Sequence, residues 1–160
     1  MNKLNFFGVG PKMARVFLPW LASSIFLSCI NIAYFKFVPE RSDIIFYGGL
    51  ILLFGGLILY FSTVKMLLNG LKETKLMTKG PYRLCQNPLY STIILLIVPA
   101  ISLLLNSWLI LTTCVAGYIV FKVNIISEYQ ELEKFFGEEY LKYKKETPEF
   151  FPLPFKKWTK

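Results

Sequence analysis

Apolar residues fall along the chain in four runs: Met13 to Phe35, Ile44 to Leu68, Leu89 to Leu105 and Trp108 to Ile126. Each run is close to the roughly 20 residues an α-helix needs to cross about 30 Å of hydrocarbon. Charge is nearly absent from them, and Arg15 sits where it can snorkel to the interface. A charge at mid-membrane costs about 2.5–3.5 kcal/mol, so the pattern predicts four transmembrane helices. The third run is the shortest and contains Pro99. It is expected to kink, to tilt little, or to lie partly buried among its neighbours. The first run is too long for a signal-peptide core, and no A-x-A-like site follows it.

The pattern changes after the fourth run. From Asn124 to Lys145, Ile125, Tyr129, Leu132, Phe136, Tyr140 and Tyr143 recur at spacings of three or four. That is one face of an amphipathic helix. It fits a helix lying on the membrane surface and equally one packed over the mouth of the bundle. Gly137 is expected to interrupt it, and Pro148, Pro152 and Pro154 to end regular structure. In the second run, Gly48-Gly49 and Gly55-Gly56 are seven residues apart and share a helix face. Small residues there let another helix approach, and a substrate groove along the same face is the competing reading. The predicted fold is therefore all-α. It is a single membrane domain, 1–160, with four spans, a C-terminal amphipathic helix and a tail over 127–160.

Charge sets the orientation. Lys3, Lys12 and Arg15 precede the first span or lie at its start, and the connector Leu71 to Pro88 holds Lys72, Lys75, Lys79 and Arg83 against Glu73. The connector Lys36 to Asp43 is balanced, and the turn Asn106-Ser107 has no charge. The positive-inside rule places both basic segments, the tail and both termini in the cytosol. The expected location is the cell's inner or plasma membrane. The net charge of +8 suits a protein lying against anionic lipid. With 54% apolar residues and a mean hydropathy of +0.49, no soluble basic domain remains to bind nucleic acid. Cys29, Cys85 and Cys114 match no zinc spacing, and the chain has no histidine. This excludes His-liganded metals, His-ligated haem and Ser–His or Cys–His dyads. Gly8-Val9-Gly10-Pro11 lacks a preceding strand and a third glycine, so it reads as an N-terminal turn. No internal repeat appears, and the pattern leaves the oligomeric state open.

Two segments beside the bilayer carry the polar and aromatic residues. Thr78 to Tyr90 is framed by two turn signals, Gly80-Pro81 and Asn87-Pro88. Such a rigid loop can hold a polar cofactor. Arg83 can fork onto a carboxylate, and Tyr82 and Tyr90 offer ring faces to a cation or an adenine. The glutamate-bearing stretch Asn124 to Tyr143 lies on the same side of the membrane, so the two can meet. Each residue also has a plainer reading. Tyr82 and Tyr90 suit an interfacial aromatic belt, Arg83 a positive-inside anchor, and Glu128, Glu138 and Glu139 a solvated helix face.

Gly80-Pro81-Tyr82-Arg83 followed by Asn87-Pro88-x-Tyr90 resembles the G-x-Y-x-x-x-R-H-P-x-Y signature of the isoprenylcysteine carboxyl methyltransferases and related phospholipid methyltransferases. Glu128-x-x-x-Leu132-x-x-x-Phe136-Gly137-Glu138-Glu139-Tyr140-x-x-Tyr143 resembles a second motif of that family, and a proline-containing segment follows, Pro148 to Pro154. The resemblance covers Thr78 to Pro154. It implies a helical membrane enzyme that uses S-adenosylmethionine, without a metal, to methylate a lipophilic acceptor. Arg83 and Glu128 are the implied catalytic candidates. The implied cofactor-binding residues are Gly80, Tyr82, Arg83, Asn87, Pro88, Tyr90, Glu128, Tyr140 and Tyr143.

Three departures stand out. Gln86-Asn87 replaces the arginine-histidine pair, Tyr129 replaces the second glutamate, and Asn124 stands where the carboxyl methyltransferases carry an arginine. Asparagine can donate or accept a hydrogen bond as histidine does but carries no charge. The loss of a cation at Asn124 weakens the case for a prenylcysteine carboxylate as acceptor. Two other classes fit a small helical membrane protein. An NADPH-dependent lipid or sterol reductase would need a pocket for a 2′-phosphate. A non-enzymatic assembly protein would tolerate loss of Arg83 and Glu128.

Overall fold

The computed structural model describes residues 9–30, 32–40 and 42–151. Lys3, Gly8, Pro152 and Pro154 of the sequence reading lie outside the described residues, as does the side chain of Glu73. The described chain is helical and contains no strand. Helix α1 is Gly10–Ile30, α2 is the short Ile32–Phe35, and α3 is Asp43–Glu73. A 3₁₀ turn, Gly80–Arg83, precedes α4, Pro88–Thr92, a π-helical turn, Ile93–Ile97, and α5, Val98–Leu104. A second 3₁₀ turn, Trp108–Leu111, leads into α6, Thr112–Phe136, and α7 is Glu138–Glu146.

Three stretches are long and apolar enough to cross a bilayer: Gly10–Ile30, Asp43–Gly70 and Trp108–Phe136. Pro88–Leu104 is a shorter apolar helix. Helix α3 shows what lipid asks of such a helix. Its outer face carries Ile44, Tyr47, Ile51, Phe54, Ile58 and Phe61, with Ile44 85% and Ile58 70% exposed. A water-soluble protein would bury that stripe; hydrocarbon accepts it. The opposite face holds Gly49, Gly56 and Thr63, all buried. A Cβ added at Gly56 would meet Ile97 Cγ1 at 3.1 Å, and one at Gly49 would meet Leu104 Cδ2 at 3.1 Å. Gly48 and Gly55 have nothing within 4 Å of that position. The glycine pairs are thus a packing device, and one glycine of each pair does the packing.

Several boundaries move from the pattern. The second apolar run ends at Leu68, but α3 runs on to Glu73 and stops at Thr74 in the left-handed region with φ 53°. The fourth apolar run has no break at Ile126, because α6 continues to Phe136 and ends at Gly137 with φ 55°. The polar stripe of the tail therefore starts on the same rigid rod as the span. Pro99 gives a π-turn: Val98 N donates to Ile93 O, a five-residue step. The proline has no N–H to give and its ring crowds the Leu95 carbonyl, so the ladder widens there.

At the end away from the two motif segments, the connectors are tied together. Asn106, at φ 49°, donates its amide to Val38 O at 2.9 Å. Ser28 and Ser107 share a hydroxyl bond of 2.6 Å. At the opposite end Val9, Met13, Ile94, Phe121, Ile125 and Phe150 form the buried core on which the site rests.

Candidate functional site

The loop before α4 is shaped by its own sequence. Gly80 sits at φ +56°, where a side chain is strained, and a Cβ there would also press on Met66 Cε at 3.0 Å, so glycine is favoured. Pro81 is buried and its carbonyl accepts from Leu84 N at 3.0 Å, closing the turn. Pro88 opens α4 at a position where the missing N–H is no loss. Asn87 precedes it but makes no side-chain cap, because its amide is used elsewhere. Asn87 Nδ2 donates to Tyr129 Oη at 2.6 Å and to Glu149 O at 2.9 Å.

The tail folds back onto this loop. Tyr143 Oη donates to Tyr82 O at 2.6 Å. Gln86 Nε2 donates to Thr147 O at 2.6 Å, and Gln86 N to Pro148 O at 2.8 Å. Glu149 is held by Lys122 at 2.5 Å and by Tyr129 Oη at 3.3 Å. Phe150 then inserts beside Phe121 and Tyr118, with ring centroids 4.9 and 5.1 Å away. The stretch Thr147–Phe150 is therefore a strap across the loop. The amphipathic stripe packs inward at Tyr140 and Tyr143, both buried, and leaves Glu138 and Glu139 exposed.

Glu128 lies at the centre of the arrangement. Its Oε2 accepts from Val9 N at 3.0 Å, at the N-terminus of α1, where the helix dipole favours a negative charge. Its charge reaches the phenols of Tyr82, Tyr90 and Tyr140. Burial first, and the Glu128 carboxylate second, push the Tyr82 and Tyr140 phenols well above their ordinary value of 10.0. Both stay protonated at neutral pH and are available as hydrogen-bond donors. Burial also raises the Cys85 thiol, whose Sγ lies 3.2 Å from Ser91 Oγ. Tyr140 Oη, Gln86 Oε1 and Thr147 Oγ1 are buried without a hydrogen-bond partner among the described residues. Three orphaned polar atoms on one seam are what a polar ligand would satisfy. The rings of Tyr129 and Tyr140 already accept a cation, since Lys144 Nζ lies 5.3 and 5.9 Å from their centroids.

Tyr82, Asn87, Pro88, Tyr90, Glu128, Tyr140 and Tyr143 thus converge, and Gly80 shapes the turn that presents them. Arg83 ends that turn and is exposed. Of the expected set, Asn87 and Tyr143 spend their polar atoms on holding the tail to the loop. The residues that sequence reasoning left without a role here are Gln86, Tyr129, Glu149 and the Val9 amide. Gln86 and Tyr129 were visible as departures from the family pattern. They act together: the two amides of Gln86-Asn87 and the Tyr129 hydroxyl grip the strap. Glu149 and Val9 carried no signal, because their partners are 27 and 119 residues away.

The family model described as phospholipid methyltransferase matches residues 44–139, from the start of α3 into α7. No curated protein matches the chain. The match begins earlier than the Thr78–Pro154 resemblance and stops before Tyr140, Tyr143 and the strap. It covers more than half of the chain, the loop 78–90 and Glu128 itself, on a helical frame with three helices able to span a membrane. The chain belongs to the phospholipid methyltransferase family.

Proposed function

We propose that this protein transfers a methyl group from S-adenosylmethionine to a lipophilic acceptor resident in the membrane. The site lies between the loop 78–90 and the α6–α7 corner. In this reading Pro88–Leu104 is the fourth span, both termini are cytosolic, and the site opens at the cytosolic face of the inner or plasma membrane. The observation that carries the reading is the Glu128 carboxylate, held by the Val9 amide with its charge reaching the Tyr82, Tyr90 and Tyr140 phenols, together with the orphaned Tyr140 Oη.

When bound, S-adenosylmethionine supplies a methyl group on a sulfonium that already has a good leaving group. The protein's task is then to hold a cation, align the acceptor and exclude water. Glu128 and the tyrosine faces favour a positive charge. A carboxylate accepts up to about four hydrogen bonds, so the one from Val9 leaves capacity for ribose hydroxyls or an ammonium. Tyr140 Oη and Gln86 Oε1 offer further hydrogen bonds. Arg83, exposed at the end of the turn, suits the cofactor's carboxylate. The strap Thr147–Phe150 covers the loop from the water side. Asn124 brings no cation for a prenylcysteine carboxylate, which favours a lipid acceptor over that one.

Glu128→Gln keeps an oxygen for Val9 N and removes only the charge. The full chain in detergent should bind S-adenosylhomocysteine and S-adenosylmethionine by titration calorimetry. Glu128→Gln should weaken S-adenosylmethionine binding roughly 10- to 100-fold, as loss of a charged hydrogen-bond partner does, with little change in thermal midpoint. Binding of neither ligand by the wild-type chain would sink the proposal. Binding of NADPH in their place would assign the reductase reading instead.

A further inference from the structure

A groove of about 340 Å³ runs between α1 and α6, beside the Glu128 cluster, with Asn124 one helical turn from Glu128; it is lined by Lys12, Arg15, Val16, Ile119, Val120, Val123 and Asn124. The two helices are antiparallel, so its polar and apolar parts sort by depth. Lys12, Val123 and Asn124 lie at the end nearer the loop, and Arg15, Val16, Ile119 and Val120 lie about one turn further toward the middle of the spans, from where the long Arg15 side chain can snorkel back to the headgroup level. Lys12, Arg15, Val16, Ile119 and Val123 are exposed, Val123 by 71%. Neither cation has an ion pair among the described residues. Of the nearby acids, Glu149 pairs with Lys122, and Glu128 accepts from the Val9 amide and makes no ion pair with either cation among the described residues. The groove is therefore doubly positive at the headgroup level and apolar below it.

We infer that this groove is a binding site for an anionic membrane phospholipid. The headgroup phosphate lies between Lys12 and Arg15, and one acyl chain follows Val16, Ile119, Val120 and Val123 into the bilayer. Charge complementarity and the polar-to-apolar gradient along one groove select this occupant. A free phosphate would use only the mouth, and a zwitterionic lipid such as phosphatidylcholine would bring an ammonium that offsets its phosphate between the two cations. The volume is at the lower end for a ligand site, which suits a headgroup and the first part of a chain, with the rest in surrounding lipid. The site is separate from the methyl-transfer proposal and stands or falls without it.

Native mass spectrometry of the full chain in detergent, titrated with phosphatidylglycerol or phosphatidylcholine, tests the site. The wild-type chain should prefer phosphatidylglycerol by roughly tenfold or more, given two cations at a lipid surface. Lys12→Gln with Arg15→Gln should abolish that preference, and the control Lys72→Gln with Lys79→Gln should keep it. Val123→Trp, which fills the apolar part and leaves both charges, should lower phosphatidylglycerol binding at least severalfold. Glycerol phosphate, which has the charge and no chain, should not compete. No preference in the wild-type chain, a preference that survives loss of both cations, one lost equally in the control pair, binding unaffected by Val123→Trp, or full competition by glycerol phosphate would each overturn the inference.

Discussion

Tyr143 shows how a single hydroxyl can organise the site. Its Oη donates to Tyr82 O at 2.6 Å and lies 3.5 Å from Cys85 O, so it pins the backbone of the loop from α7. Tyr143→Phe keeps the ring and leaves the Tyr82 carbonyl unpaired. That should lower stability by about 1–3 kcal/mol, read as a drop in the thermal midpoint in detergent, and should raise hydrogen exchange over residues 80–90. The buried phenols also set an alkaline limit. Burial raises Tyr82, Tyr140 and Tyr143 above 10.0, so the folded state disfavours their phenolates. The stability they contribute is complete below the unfolded value near 10.0 and is lost as pH rises above it. The thermal midpoint should show no phenol-linked step below about pH 10 and should fall beyond it, while absorbance follows phenolate formation. A tyrosine ionising near neutrality would contradict this account.

Helix α3 was readable in length and lipid-facing character from its sequence, but not in the division of its glycines. Both pairs share a face, yet only Gly49 and Gly56 meet α5 and the π-turn. Gly56→Leu must push Ile97 and Leu96 away and should cost about 1–3 kcal/mol of thermal stability in detergent. Gly55→Leu points into open space and should be neutral or slightly stabilising, since leucine favours a helix over glycine by roughly 0.5–1 kcal/mol. Equal effects from the two variants would remove the packing role. The π-turn has a related origin. Pro99 is plain in the sequence, but whether a proline kinks, breaks or widens a helix depends on the helices around it. Here Ile97 and Leu96 lie against Gly56, which fixes the widened turn in place.

For the whole molecule, we propose that the balance of loop charge orients the bundle, with the basic connector in the cytosol. Lys79, in the basic connector, and Glu40, in the balanced one, are both exposed. In a cysteine-free background, a membrane-impermeant maleimide should label Glu40→Cys in intact cells and Lys79→Cys only after permeabilisation. The reverse pattern would invert the topology.

The helical, membrane-embedded class and the two chemical segments followed from the sequence by itself, because hydrophobic run length, glycine and proline signals and motif spacing are local properties. Tertiary structure decided what those segments do to one another. Asn87 and Gln86 looked like weakened family positions, and in the fold their amides grip a strap 61 to 62 residues away. Glu128 was a candidate through the family resemblance, with a solvated helix face as its plainer reading, and in the fold it accepts from the Val9 amide. Contacts over such separations arise only when packing brings distant helices together, and no local pattern encodes them.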